Sequence, residues 1–167
     1  MKRSARAFVA PVLLYCLWSL VGCKDNPVEE QKTKAIDFIL KDLEGNDFQL
    51  SNHYGKVILL DFFAVDDTTN ETQIPAMSQI YTAHSGEGLL VVGISADTTA
   101  ELDSVVDRFD LAYPVLRDSA SKVSNVYIGS SPLPGIYLFD RDAVLQGYAL
   151  GVPKTFEELD AAVKNLL

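Results

Sequence analysis

The sequence holds two cysteines, two histidines and one tryptophan in 167 residues, and these scarcities narrow its chemistry before any motif is considered. Both cysteines, Cys16 and Cys23, lie near the start, so no thiol follows position 23. That later stretch therefore has no disulfide framework, no thiolate nucleophile and no zinc-binding cysteine set. His53 and His84 have no cysteine, serine or metal-ligand neighbour at a recognised spacing, which points to solvated loop and helix-end roles. A Gly-x-Ser-x-Gly elbow, a phosphate loop and a zinc pattern are all missing. Positive charge is also scarce: 14 Lys and Arg against 23 Asp and Glu give a net charge of −9. That balance argues against nucleic acid or anionic lipid as a partner and suits solubility. The length allows one domain with a sizeable core, and no internal repeat or low-complexity tract interrupts it.

What is present begins with an ordered N-terminal pattern. Lys2, Arg3 and Arg6 precede the apolar stretch Ala7 to Leu20, and Leu20-Val21-Gly22-Cys23 closes it. The apolar stretch is shorter than the roughly 20 residues of a membrane-spanning helix. This succession resembles the bacterial lipoprotein signal. The resemblance implies cleavage before Cys23, lipid on Cys23, and a cell-envelope protein anchored to a membrane and facing the periplasm or exterior. Residues 1–22 are then a signal peptide, and residues 23–34 the lipidated cysteine with a flexible tether, polar, charged and broken by Pro27. Cleavage removes Lys2, Arg3 and Arg6 and no acidic residue, which leaves the mature chain from Cys23 onward more acidic still.

The domain is organised around Val57 to Met77. Val57 to Ala64 is an almost unbroken apolar run, the pattern of a strand buried on both faces. Polar residues from Asp66 to Glu71 follow, and a helix is expected over Thr69 to His84, ended by Ser85-Gly86-Glu87-Gly88. Upstream, Ile36 to Leu40 and Asp47 to Leu50 form a hairpin about Glu44-Gly45-Asn46. Downstream, Leu89 to Ser95 is a second buried strand, and Thr99 to Phe109 a helix with Leu102, Val105, Val106 and Phe109 on one face. Tyr113 to Leu116 is extended and Ser119 to Tyr127 a short helix. Strands Ile136 to Phe139 and Val144 to Leu150 turn at Asp140-Arg141-Asp142, and Phe156 to Leu167 is a closing amphipathic helix. A strand–helix–strand unit implies a right-handed parallel crossover, and the late hairpin adds antiparallel strands. The expected class is α/β, a mixed central sheet flanked by helices on both faces, with an extra N-terminal hairpin.

Six stretches in this order carry a family resemblance: AIDFILKDLEGNDFQL from Ala35, GKVILLDFFA from Gly55, Pro75-Ala76-Met77, LVVGISAD from Leu90, YPVLRD from Tyr113 and LPGIYLFD from Leu133. Together they resemble the exported TlpA/ResA-like thiol-disulfide oxidoreductases, redoxins of the AhpC/TSA type with a thioredoxin-like fold. In that family the buried strand ends in an aromatic and a small residue, here Phe63-Ala64, and Trp-Cys-x-x-Cys then opens a helix that continues into Glu-x-Pro. The two cysteine positions fall on Asp67 and Asn70, and Gln73-Ile74-Pro75 takes the Glu-x-Pro place. A cis-proline faces the pair in the family, and Pro134, after Leu133, occupies its place. The related peroxiredoxin pattern Pro-x-x-x-Thr-x-x-Cys sets Ala64, Thr68 and Glu71 at its Pro, Thr and Cys positions, so that only the threonine survives. Neither frame contains a nucleophile.

Thiol–disulfide exchange needs a thiolate, and peroxide reduction needs a sulfur that becomes a sulfenic acid; carboxylates and amides do neither. The resemblance then implies a binding or accessory module for a cell-envelope protein or peptide partner. The groove for it lies between Asp66, Asp67, Thr68, Asn70 and Glu71 on one side and Leu133-Pro134 on the other. No cofactor and no metal set is implied. Two alternatives stay open: a redoxin working with a partner's thiol, and a carboxylate or hard-cation site at Asp66 to Glu71. Against the second, the calcium-loop spacing is not met, and Thr68 with Glu71 forms a capping box at a helix start. Tyr113, Tyr127, Tyr137 and Tyr148 are expected in the core more than in a groove, and Asp97 and Asp118 as caps.

Overall fold

A strand that is apolar at every position needs cover on both faces, and Val57–Phe62 (β3) has it, with every residue buried. The computed structural model describes residues 32–167; the expected signal peptide, Cys23 and most of the tether lie outside the described residues. The other strands are β1 (Ile39–Asp42), β2 (Asp47–Gln49), β4 (Leu89–Ser95), β5 (Val115–Arg117), β6 (Gly135–Phe139) and β7 (Leu145–Leu150). The helices are α1 (Asn70–His84), α2 (Thr99–Phe109), α3 (Lys122–Tyr127) and α4 (Phe156–Lys164). They form the expected mixed α/β architecture, a seven-stranded sheet in the order β2-β1-β5-β4-β3-β6-β7. Strands β3, β4 and β5 run parallel through α1 and α2, while β6, β7, β1 and β2 add antiparallel pairs.

Alternation along β3 and β4 divides the interior in two. Val57, Leu59, Leu89 and Val91 face a core closed by Ile74, Met77 and Ile80 of α1, Leu102 and Val105 of α2, and Leu159 and Val163 of α4. Ile58, Leu60, Phe62, Val92 and Ile94 face the other core, closed by Phe38, Leu50 and Val123. Each fully buried Leu, Ile or Val contributes roughly 1.5–3 kcal/mol, so these two layers fix the sheet on which the loops at its ends are carried.

The first hairpin differs from the sequence expectation. Its first strand starts at Ile39, and Ile36 is 55% exposed, its backbone N–H and C=O both bonded to the Tyr127 hydroxyl. The turn explains the register: Asp42 Oδ1 accepts from the N–H of Glu44 and of Asn46, and Gly45 takes φ 90°, a conformation glycine adopts without strain. At the start of the described chain, the Leu145 N–H donates to the Thr33 carbonyl at 2.8 Å, so pairing begins before Ala35.

Candidate functional site

Phe62 pairs with Gly135 in the β3–β6 ladder. That register brings the turn after β3 beside Leu133-Pro134, which is a cis peptide bond as the resemblance implied. A third segment joins them, because the Gly151 N–H after β7 donates to the Pro134 carbonyl at 2.8 Å. Residues 63–71, Leu133-Pro134 and the segment after Gly151 therefore meet at the carboxyl end of β3, where loops of open α/β sheets carry function and where the resemblance implies the groove. Pro134 is buried, Leu133 and Asp67 half-buried, and Asp66, Thr68 and Glu71 exposed.

The turn holds itself through amide and carboxylate contacts. Asn70 is 4% exposed, and its Nδ2 donates to the carbonyls of Ala64 at 2.8 Å and Val65 at 3.3 Å. Asp67 Oδ1 accepts from both the N–H and the hydroxyl of Thr69 at 2.8 Å. Asp97 Oδ2 accepts from the Val65 N–H at 2.8 Å and from the Ser95 hydroxyl at 2.6 Å, which fastens the turn to the end of β4.

Several side chains lie otherwise than the sequence suggests. Thr68 and Glu71 do not form a capping box: the residue before α1 is Thr69, in helical conformation and without a side-chain cap, and Glu71 instead pairs with Arg108 of α2. Asp67 supplies the local acceptor, because its short side chain closes onto the N–H two residues on, which Thr68 does not do here. Asp97 is not a helix cap, since Thr98 and Glu101 form the capping box of α2, whereas Asp118 does cap α3, accepting from the N–H of Lys122 and Ser124. His84 is not solvated: it is 6% exposed and lies between Glu87 Oε2 at 2.8 Å and Asp160 Oδ1 at 2.7 Å. His53 is partly buried and stacks on Phe48. Tyr113 is buried in the core, but Tyr148 is 65% exposed, its ring stacked on Tyr137.

A buried polar pair below the turn was not singled out in the sequence. Asp61, next to the last residue of β3, is fully buried, and Gln73 of α1, also fully buried, donates from Nε2 to its Oδ1 at 3.2 Å. The other end of Gln73 accepts the Lys154 N–H at 2.8 Å, in the segment whose Gly151 N–H bonds Pro134. Burial pushes the Asp61 carboxyl up to about 7, against the opposing pull of the Gln73 hydrogen bond. The signal for it was a carboxylate inside an otherwise apolar strand, VILLDFF. Among the described residues no group of three or more His, Cys, Asp and Glu side chains is arranged to hold a metal ion, and no helix is long and apolar enough to cross a membrane.

ResA, a thiol-disulfide oxidoreductase of Geobacillus thermodenitrificans, is 26% identical over 159 residues, covering 90% of this chain and 91% of that protein. ResA of Bacillus anthracis is 28% identical over 134 residues, 80% of this chain and 76% of that protein. The crystal structure of a thioredoxin-family thiol:disulfide interchange protein from Chlorobium tepidum superposes with a TM-score of 0.73 at 23% identity, over 81% of this chain and 97% of that one, which shows the thioredoxin-like fold. Residues 32–148 match the AhpC/TSA family. A mixed sheet with a cis-proline beside the first helix, and relatives that are thiol-disulfide oxidoreductases, thus place the chain in the AhpC/TSA family as a ResA-like protein of thioredoxin-like fold.

Proposed function

We propose that this chain is a cell-envelope binding or accessory module that uses the thioredoxin-like groove without thiol chemistry, held at a membrane by lipid on Cys23. The observation that carries this reading is the sequence itself: no cysteine follows Cys23, and the positions that the family resemblance assigns to the cysteine pair hold Asp67 and Asn70. Both side chains are engaged in holding the turn, so the groove wall persists with amide and carboxylate hydrogen bonds in place of sulfur. An extended segment of a protein or peptide partner would lie between that turn and Leu133-Pro134, pairing its backbone beside the proline.

The proposal is tested by assaying the protein for reduction of insulin disulfides and for peroxide consumption, each with dithiothreitol as electron donor. We expect no rate above the dithiothreitol background in either. Turnover in either assay would contradict the reading, because this domain has no cysteine thiol to carry the electrons.

A further inference from the structure

We propose that the cavity between the β1–β2 hairpin and the loop leading into α3 binds a small monocarboxylic acid. Arg117 takes the carboxylate, Lys41 and Lys122 add positive charge, and Ile39 and Val123 receive a short apolar chain. The site lies at β1 and β5, with β4 between it and β3, so it is separate from the groove and goes beyond the binding role proposed above.

Positive charge is scarce in this chain, yet Lys41, Arg117 and Lys122 all line one cavity of about 390 Å³. Lys41 stands directly opposite Arg117 in the β1–β5 ladder. Like charges at facing ladder positions oppose folding, and an anion beside them would relieve that cost. The two carboxylates that share the cavity are already engaged. Asp47, opposite Lys41 on β2, pairs with it at 2.7 Å. Asp118 is 2% exposed and serves α3: its Oδ1 accepts from the Lys122 N–H at 2.9 Å, and its Oδ2 from the N–H and hydroxyl of Ser124 at 2.7 and 2.8 Å. Arg117 and Lys122 form no ion pair among the described residues. Thr98, and to a lesser degree Arg117, hold the Glu101 carboxyl below its usual range, so that acid belongs to the cap of α2.

Arg117 is also held in place. Its Nε donates to the Asp97 carbonyl at 3.0 Å, and its terminal nitrogens have no partner among the described residues. A guanidinium fixed in this way matches a carboxylate and loses little further freedom on binding. The remaining lining decides what that carboxylate is attached to. Ile39, 59% exposed, comes from the hairpin, and the buried Val123 from α3. An apolar wall beside unpaired cations suits a ligand with one charged end and an apolar body. The volume is at the lower end of the roughly 300–1,000 Å³ of small-molecule sites, which suits a chain of a few carbons. Asp47 and Asp118 repel a second negative charge, which favours a monoanion over a phosphate.

The test titrates sodium hexanoate into the protein at constant ionic strength and follows backbone amide shifts by NMR, beside sodium acetate, which has the charge alone, and 1-hexanol, which has the chain alone. We expect saturable shifts at Ile39, Arg117 and Lys122 with hexanoate, and binding at least about tenfold weaker for the other two. Arg117→Gln should weaken hexanoate by about tenfold, the loss of one charge-assisted contact. Lys122→Gln, on an exposed side chain, should weaken it by about threefold, and it decides the matter if Arg117→Gln does not fold. Shifts that do not saturate, hexanol or acetate binding as tightly as hexanoate, or Lys122→Gln binding unchanged would each overturn the site. Tenfold tighter binding of N-acetyl-leucyl-leucine than of hexanoate would assign the cavity to a peptide carboxyl terminus and overturn the small-acid reading.

Discussion

Asn70 shows at the scale of one residue how an amide does structural work at a position the family resemblance assigns to cysteine. Its two donor contacts tie the start of α1 to the end of β3, and each buried hydrogen bond is worth about 0.5–1.5 kcal/mol. Asn70→Ala should therefore lower unfolding stability by roughly 1–2 kcal/mol in urea titration, the loss being tempered by removal of the unpartnered Oδ1. Asp66→Ala, on an exposed side chain in the same turn, should change it by less than about 0.5 kcal/mol. Equal effects of the two variants would show that Asn70 is not the fastener. Single residues were also where sequence reading had least purchase. Asp61 was visible as a charge in an apolar strand, yet its partner Gln73 lies across a strand–helix turn and cannot be paired by spacing alone. His84 had no ligand-like neighbour within its own helix, and the Asp160 that receives it is 76 positions away.

At the scale of elements, that histidine joins two helices. His84 at the end of α1 bonds Asp160 of α4, whose other oxygen takes Lys164, and Glu87 of the following turn covers the second ring nitrogen. Hydrogen bonds to Asp160 and then to Glu87 raise the His84 pKa above 6.5, outweighing the opposing effect of burial. The sign follows: the clasp contributes stability fully below 6.5 and loses it as pH rises through the raised value. Thermal melts should show the wild type losing stability with rising pH above 6.5 more steeply than His84→Gln, which keeps a neutral amide in place of the imidazolium. Parallel slopes would mean that the histidine is neutral in the fold. Because Asp61 destabilises in the same direction, the His84→Gln slope should be shallower but not flat. Elements themselves were well forecast from periodicity: β4 was placed at its observed bounds, and α1 began one residue later than expected. The first strand was misplaced because Ile36 and Phe38 read as strand residues, while the Asp42 turn and the Tyr127 hydroxyl decide where pairing starts.

Across the whole molecule, the order of strands and helices was legible because apolar runs and their breaks encode burial directly. Which polar residues meet within the groove was not, since those contacts join segments brought together by the sheet register, such as Val65 with Asp97 and Gln73 with Lys154. The central claim concerns the frame as a unit: a thioredoxin-like groove with Asp67 and Asn70 where sulfur would stand. The most direct measurement is insulin-disulfide reduction by the wild type beside the double variant Asp67→Cys with Asn70→Cys, with thiol titration of the variant after mild oxidation. We predict no turnover by the wild type, and in the variant a disulfide that forms reversibly and restores measurable reduction. A wild type that turns over, or a folded variant whose two thiols stay free after oxidation, would contradict the account.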